Sequence, residues 1–441
     1  MDIVAAAREA GIVRANREQE PFHRTLSRAL RVVIVAGLDD DLVGEAERAL
    51  ILHHSRALFQ GLDLALRASG ADEAMVVYRR GDASLVDRLR EEARHYPYVR
   101  LIALEDTYPA GEPFVLLDRL LGIRLSPGAD PESAGVLVAA PHDLWHLARA
   151  LEGRPLTHRF VSIVGAVKHP QTVRAPIGAA CGDLLTHCGG PSVEGVGMVM
   201  GGILRGRPAD ESSLVSPSTS VLIVLPEGHE VLRRQGQTTA DMLRRAALVC
   251  SACRQCSERC PPRLLGRAIH PHLLMRGLAY RLDACEEIVT GPSNCLGCGL
   301  CQAICPAGLS PGRLYEALGV ELKRRGVWDA LPPSSRPRPA APDSEIHMPS
   351  RSWLIRRHGL EAWSGSLPLD DNELPVREVT VGRAGAELMV EEGRLVAKGA
   401  LIALDRRAEV RIHAPISGEI HRKSSFQVRI VRRNRDEAWT G

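Results

Sequence analysis

Aromatic side chains are few in this chain, with 5 Trp, 6 Tyr and 5 Phe among 441 residues. Alanine, leucine, arginine and glycine carry the composition instead, a coding bias more than a functional signal. A charge imbalance is missing as well. The 56 Lys and Arg nearly cancel the 53 Asp and Glu, leaving a formal +3, so no field suited to nucleic acid is expected. No uncharged apolar run is long enough to span a bilayer, so membrane contact is expected only through a partner. The first residues do not read as a secretion signal, because Asp2, Arg8 and Glu9 interrupt the apolar ones. A cysteine-rich chain without such a signal points to a reducing cytoplasm, where thiolates stay available for metal. With 45% apolar residues, a chain this long is expected to build about three domains.

What is present is sulfur in a repeated pattern. Cys250, Cys253, Cys256 and Cys260 precede Pro261, and Cys295, Cys298, Cys301 and Cys305 precede Pro306. Each set reads C-x2-C-x2-C-x3-C-P, the spacing by which bacterial ferredoxins hold cubane iron–sulfur clusters. Three closely spaced thiolates wrap one face of a cubane and the fourth points away, to the neighbouring cluster in two-cluster proteins. The pattern assigns Cys250, Cys253, Cys256 and Cys305 to cluster 1, and Cys260, Cys295, Cys298 and Cys301 to cluster 2. Zinc and disulfides are the competing readings, but structural zinc favours C-x2-C pairs across a longer spacer. Cys181, Cys188 and Cys285 remain. The first two read as buried, unreactive thiols, and Cys285 as a packing residue on a helix between the motifs. His270 and His272 read as hydrogen-bonding or surface groups, since histidine rarely ligates a low-potential cubane.

Around this pattern the chain divides. Over 1–155, apolar runs at 31–36, 73–78, 99–104 and 135–140 alternate with helical stretches such as 42–62 and 83–96, predicting a parallel sheet with helices on its faces. Residues 156–235 hold shorter β-branched runs, 160–164 and 220–225 among them, and predict a small β module. Over 236–330 lie the two motifs, separated by helices. Residues 331–375 begin with a Pro-rich linker, and the stretch up to about Leu374 shows little periodicity. From 376 to 436 short strands punctuated by glycines return. Ile412 to Ile420 looks like the closing part of a barrel-sandwich hybrid, the fold of biotinyl and lipoyl carriers. The tip expected near Asp405–Glu409 has no lysine to modify, which favours a structural or docking role over a swinging arm.

With these features together, the chain resembles one family over nearly its whole length. That family holds the C subunit of Rnf-type electron-transport complexes and the cobalamin reductase of propanediol-utilising microcompartments. The segments Cys260–Gly266 and Pro271–Arg276 are similar to the family's sequence after its first motif, and Cys305–Pro311 to that after its second. Tyr108–Glu112 resembles its Y-P-x-G-x-E region, with the acid one place early. Arg159–Gly190 looks like its β-grasp ligand-binding module, and Gly201–Gly206 is a weakened G-G-P-M-M-G turn. The resemblance implies a multidomain α/β fold. Its parts are a complex I flavoprotein-like domain, a β-grasp module, a helical two-cluster ferredoxin domain and a C-terminal barrel-sandwich hybrid. It also implies two 4Fe–4S clusters, with FMN and NADH in the N-terminal domain.

The flavin site is where this sequence departs from the family. The loop G-I-V-G-x-G-G-A-G-F-P-T-H aligns with Gly11–His23, where Arg14, Asn16, Arg17 and Gln19 stand in place of four glycines. Side chains there fill space that the backbone and cofactor would share. Asp39 and Asp41 keep the acids of a second motif without its asparagine and proline, and Ala139–Asp143 lacks the asparagine of a third. The acidic triplet 39–41 reads equally as a turn or helix cap. Glu112 is the nearest remaining acid of the nucleotide site, and a helix cap is its competing role. Arg324 and Arg325, Arg356 and Arg357, and Arg432 and Arg433 either dock an acidic redox partner or are plain solvated surface.

The expected function is a relay passing single electrons between a donor, both clusters and an acceptor. The partner classes are a redox protein, a corrinoid or radical-enzyme system, and components of a microcompartment or a membrane electron-transport complex. Two alternatives stay open: an FMN-dependent NADH:acceptor oxidoreductase, and a partner-binding scaffold with structural clusters.

Overall fold

The computed structural model describes residues 2–16, 18–38, 41–126, 128–280, 286–328, 348–382, 385–424 and 426–432. Asp39, Asp40, Arg17, Cys285, Arg433 and the proline run after Leu331 lie outside the described residues.

Four strands, β1 (Val32–Ala36), β2 (Glu73–Arg79), β3 (Val99–Leu104) and β4 (Val136–Ala139), form a parallel sheet in the order β3-β2-β1-β4. The runs of β1, β4 and the middle of β2 are unbroken because helices cover both faces, whereas β3, at the edge, carries the exposed Arg100. Val33, Val35 and Val76 pack with Leu58, Phe59 and Leu62, while Ile34, Met75 and Val77 pack with Leu116 and Leu117 on the other side. Helix Ala46–Ser69 crosses helix Pro141–Leu151 so closely that a Cβ at Gly61 would lie 1.9 Å from the Leu144 carbonyl oxygen.

The second sheet contains β5 (His158–Gly165), β6 (Gln171–Pro176), β7 (Val196–Met200), β8 (Arg207–Ala209) and β9 (Val221–Pro226). Its order is β10-β6-β5-β9-β7-β8, where β10 is Leu369–Glu373. β10 falls in the stretch up to Leu374 that shows little periodicity in the sequence. The chain from Met348 onward is packed: helix Arg351–Arg357 buries Leu354, and β10 pairs in parallel with β6. The sequence Leu-Asp-Asp-Asn-Glu carries no apolar alternation because β10 is an edge held by backbone pairing and charge. Asp371 faces His54 and Arg174, and Glu373 faces His158.

A buried ionic cluster joins the first two layers. Glu47 accepts from Arg159 Nη2 at 2.9 Å and lies 2.8 Å from His142 Nδ1. His142 Nε2 accepts from the Phe160 amide at 3.2 Å, so the ring is neutral and donates from Nδ1 to the carboxylate. Burial pushes His142 down to about 4, with Arg159 adding to the effect. Burial alone would raise Glu47, but His142 and Arg159 bring it down to about 2. Because His142 must stay neutral to accept the amide proton, Arg159 is the counter-charge that matters.

Helices Thr239–Val249, Pro271–Tyr280, Glu286–Asn294 and Pro311–Arg324 carry the cysteine motifs around a core including Met242, Ala246, Leu274, Met275, Ile288 and Tyr315. The last segment folds into two facing sheets. One holds β11 (Glu378–Gly382), β17 (Gln427–Val431), β16 (Gly418–Ser424) and β13 (Leu395–Val396), and the other β12 (Glu387–Leu388), β14 (Leu401–Asp405) and β15 (Val410–His413). Its inner residues Ile402, Ile416 and Ile420 share a core with Val173 of the second sheet and Leu184 of the helix Cys181–His187. The β14–β15 hairpin is docked at both ends, with Arg24 Nη2 donating to Arg407 O of the tip at 2.7 Å and His413 Nε2, at the far end of β15, lying 2.9 Å from Glu9 O.

Candidate metal centres

The two cysteine loops repeat one backbone path. Helix Thr239–Val249, opened by a Thr238/Asp241 capping box, ends at Cys250, and helix Glu286–Asn294 ends just before Cys295. Two residues past each of these cysteines the chain turns left-handed, at Ala252 (φ 54°) and Gly297 (φ 63°). It does so again one residue past the next cysteine, at Arg254 (φ 64°) and Gly299 (φ 74°). Cys256 and Cys301 then lie on one-turn helices, Gln255–Glu258 and Leu300–Ala303. Alternating hand of this kind turns successive amides to one side, the nest that receives anions and iron–sulfur groups. One such contact is already formed, from Gly297 N to Cys295 Sγ at 3.4 Å. A left-handed Ala or Arg costs about 1–2 kcal/mol. The first loop therefore holds its shape against its own residues.

The thiols meet in crossed groups. Cys250, Cys253 and Cys256 line a hollow of about 390 Å³ together with Cys305 of the other motif, His272 and Met275. Burial, then the charges of Cys305, Cys253 and Cys250, pushes the Cys256 thiol up to about 12. Cys260 is raised by burial and then by Cys298 and Cys295, and Cys301 by burial and then by Cys295, Cys298 and Cys260. Sulfur crowded this way ionises only against a cation. Among the described residues no three His, Cys, Asp or Glu side chains close on a single ion. Sets of four thiols are nonetheless the donor chemistry of a multinuclear iron group.

The surroundings of the two groups differ. Cys253 is exposed, whereas Cys260, Cys298 and Cys301 are buried. The second loop is pressed against the rest of the molecule. Tyr108 Oη donates to Cys298 O at 2.6 Å, and Gln302 Nε2 donates to Leu204 O at 2.6 Å. A Cβ at Gly299 would stand 2.3 Å from that same Leu204 oxygen. His272 lies 2.7 Å from Ser257 Oγ through Nδ1 and is stacked edge-on to His270.

Tyr108 also lines a cavity of about 370 Å³ with Leu38, Asp41, Arg79, Asp106 and Arg351. All but Arg351 lie at or just past the carboxyl ends of β1, β2 and β3, where open α/β sheets take ligands. Asp41 is occupied structurally, accepting from Ile203 N at 2.8 Å and Val43 N at 3.1 Å. Glu112 accepts from Phe114 N at 2.9 Å and caps helix Pro113–Leu121. In the segment aligned with the glycine-rich loop Val13 is bridged to Pro21, and Arg14 N donates to Glu20 O at 2.9 Å, so its two ends form a hairpin. Arg14 is buried within it, 2.7 Å from Glu132 Oε1 and donating to Val138 O at 2.6 Å. Asp143 fastens the hairpin by accepting from Ala15 N at 2.8 Å.

Other candidates have local partners. Cys181 and Cys188 are buried about the helix Cys181–His187, and burial pushes Cys181 up to about 12. Arg324 and Arg325 pair with Glu321, Arg357 donates to Ala303 O and Cys305 O, and Arg432 faces Glu373. Three arginines near the second loop, Arg205, Arg234 and Arg267, carry no signal in the sequence. Nothing local separates Arg234 from its neighbour Arg233; only the tertiary fold buries one of them.

Residues 249–310 match the 4Fe-4S dicluster domain family, and residues 7–144 match the Nuo51 FMN-binding domain family. The chain is 30% identical to cobalamin reductase PduS of Salmonella typhimurium, over 98% of this chain and 96% of that one. It is 24% identical to the C subunit of the Na(+)-translocating ferredoxin:NAD(+) oxidoreductase complex of Acetobacterium woodii, over 73% of this chain and 60% of that one. A solved NAD+-reducing nickel–iron hydrogenase in the H2-reduced state aligns with 81% of this chain and 66% of its own, at 20% identity and a TM-score of 0.49. The chain belongs to the family of iron–sulfur electron-transfer proteins that holds cobalamin reductase PduS and the C subunits of Rnf-type complexes.

Proposed function

We propose that this protein is a two-centre relay that hands single electrons to a corrinoid. When bound, each cubane takes up and releases one electron. Cys250, Cys253, Cys256 and Cys305 hold the first, and Cys260, Cys295, Cys298 and Cys301 the second. The observation that carries this reading is the contrast in exposure between two loops of one backbone path: one opens to solvent at Cys253, the other is buried behind Tyr108. The open loop suits an incoming protein partner. Leu248 (83% exposed) and Val249 offer apolar contact beside it, with Arg245 and Arg254 exposed nearby, a pattern suited to an acidic one-electron carrier.

A relative matched over nearly the whole chain is named a cobalamin reductase, and this supports cob(III)alamin as acceptor, one electron taking cobalt from Co(III) to Co(II). The working division is a flavoprotein-like domain (1–155), a β-grasp module (156–235), a ferredoxin-like domain (236–330), a connecting segment (331–375) and a barrel-sandwich module (376–436). A cytoplasmic setting, within or beside a microcompartment, fits the same relatives. No helix among the described residues is long and apolar enough to cross a membrane.

A second reading, an FMN-dependent NADH oxidoreductase, is favoured by the match to the FMN-binding domain family and by the cavity at the strand ends. The buried Arg14 and the hairpin around it weigh against that reading. Anaerobically purified protein, reduced with dithionite and freed of excess reductant, is mixed with hydroxocobalamin. The relay predicts oxidation of the clusters with matching formation of cob(II)alamin. Stoichiometric FMN together with NADH-dependent cluster bleaching supports the second reading instead, and clusters that dithionite leaves oxidised support a structural scaffold.

A further inference from the structure

Two guanidinium groups beside the second loop are buried with nitrogens that lack hydrogen-bond partners. Arg234, at the end of helix Glu230–Gln235, is 3% exposed. Its Nε and Nη2 have no hydrogen-bond partner among the described residues. Arg267 is 7% exposed, its guanidinium lies 4.2 Å over the Phe114 ring, and its Nη2 likewise has no partner there. Thiols of one group lie within their electrostatic reach, after the carboxylates Glu230 and Glu112: Cys301 for Arg234, and Cys260 and Cys295 for Arg267. Arg205, next to the Leu204 carbonyl that meets Gly299, bears on Cys298. The acids that face these arginines are Glu112, beside Arg267, and the exposed Glu230, beside Arg234.

A guanidinium out of water with unmatched donors costs several kcal/mol, and such a group marks a counter-ion belonging to the site. Four thiolates around an iron group carry net negative charge, and reduction adds one more. At a buried site that added charge is disfavoured, which lowers the potential; nearby fixed cations raise it again. At the first loop water does this work, since its thiols line an open hollow whose neighbouring Arg254 is exposed.

We infer that Arg234 and Arg267, assisted by Arg205, are the built-in counter-charges of the second centre. They hold its reduction potential up to that of the exposed centre, so that an electron entering at the first loop passes inward. The inference rests on the proposed ligand set Cys260, Cys295, Cys298 and Cys301. These arginines are positioning residues: they touch neither donor nor acceptor, and they act on the potential.

The test is an EPR-monitored redox titration of the full chain with both clusters loaded. The second centre's signal is identified by its loss in Cys298→Ser. In Arg234→Met and in Arg267→Met its reduction equilibrium falls about tenfold, which is about 59 mV for a one-electron couple, while the first centre's potential holds. Arg234→Lys, which keeps the charge, retains most of the wild-type potential, and it replaces the Met variant should that variant lose iron. An unchanged second potential in Met variants with full iron content overturns the inference and leaves the ligand set standing. A Lys variant that falls as far as the Met variant also overturns it. Wild-type protein with a single cluster removes the ligand set itself.

Discussion

The two cysteine loops share a backbone and differ in nearly everything around it. At matching positions one uses Ala252 and Arg254, the other Gly297 and Gly299. The first lies at the surface, where the residues at its left-handed positions have room for side chains. The second is wedged against Leu204, where a side chain at Gly299 would strike a carbonyl oxygen. A repeated motif thus sets two like loops of thiols in surroundings that differ: one opens to solvent, the other is buried.

The most drastic way to break this comparison is to remove the cysteine that crosses between loops. Cys260 lies in the first motif but among the thiols of the second. Cys260→Ser should therefore cost the protein its buried centre and about half its iron while the exposed centre's EPR signal persists, and Cys305→Ser should do the reverse. Loss of the centre belonging to the mutated motif itself would refute the crossing.

Gly299→Ala is next in size. Positive φ and the close carbonyl together predict about 2–4 kcal/mol of destabilisation, seen as a lower denaturation midpoint and a weakened second-centre signal. A neutral result would mean that the loop is not pressed on Leu204.

Acid should affect the two loops alike, because the group responsible lies outside both. His142 is held neutral, its value depressed from 6.5 to about 4. Above about pH 6.5 its contribution to stability is complete. As pH falls from there toward 4 the unfolded chain binds a proton that the folded one excludes, and stability drops by on the order of 2–3 kcal/mol. Thermal unfolding of the apo chain followed from pH 8 to pH 5 should show this decline, and His142→Gln should lessen it, leaving the share of His146 and His358, which burial also depresses. An equal slope in the variant removes His142 as the cause.

The smallest effect is expected at the first loop itself. Ala252→Gly relieves the left-handed strain and should stabilise the apo chain by about 0.5–1 kcal/mol after the entropy of glycine is counted. Destabilisation would show that the Ala252 methyl packs usefully.

Much of this molecule is legible in its sequence, for reasons that can be named. The strands at 32–36, 74–78 and 136–139 are buried on both faces, so each appears as an unbroken apolar run, while the edge strand 99–104 carries the exposed Arg100. The cysteine loops announce themselves because cluster geometry dictates local spacing. The altered glycine-rich loop is readable too, since Arg14 replaces a glycine. What stays hidden depends on distant partners. β10 is polar along its length and becomes a strand only because β6 offers an edge. Arg234 and Arg267 look like surface residues until helices close over them. The Glu47–His142–Arg159 cluster joins three elements far apart in the chain, and no local pattern foretells it.

The most direct test of the central claim is the iron, sulfide and flavin content of the protein purified without oxygen, with an EPR spectrum after dithionite reduction. The account predicts about eight irons, four for each centre of the dicluster domain, two distinguishable reduced signals, and little or no FMN. Colourless, iron-poor protein from strictly anaerobic preparation would contradict it.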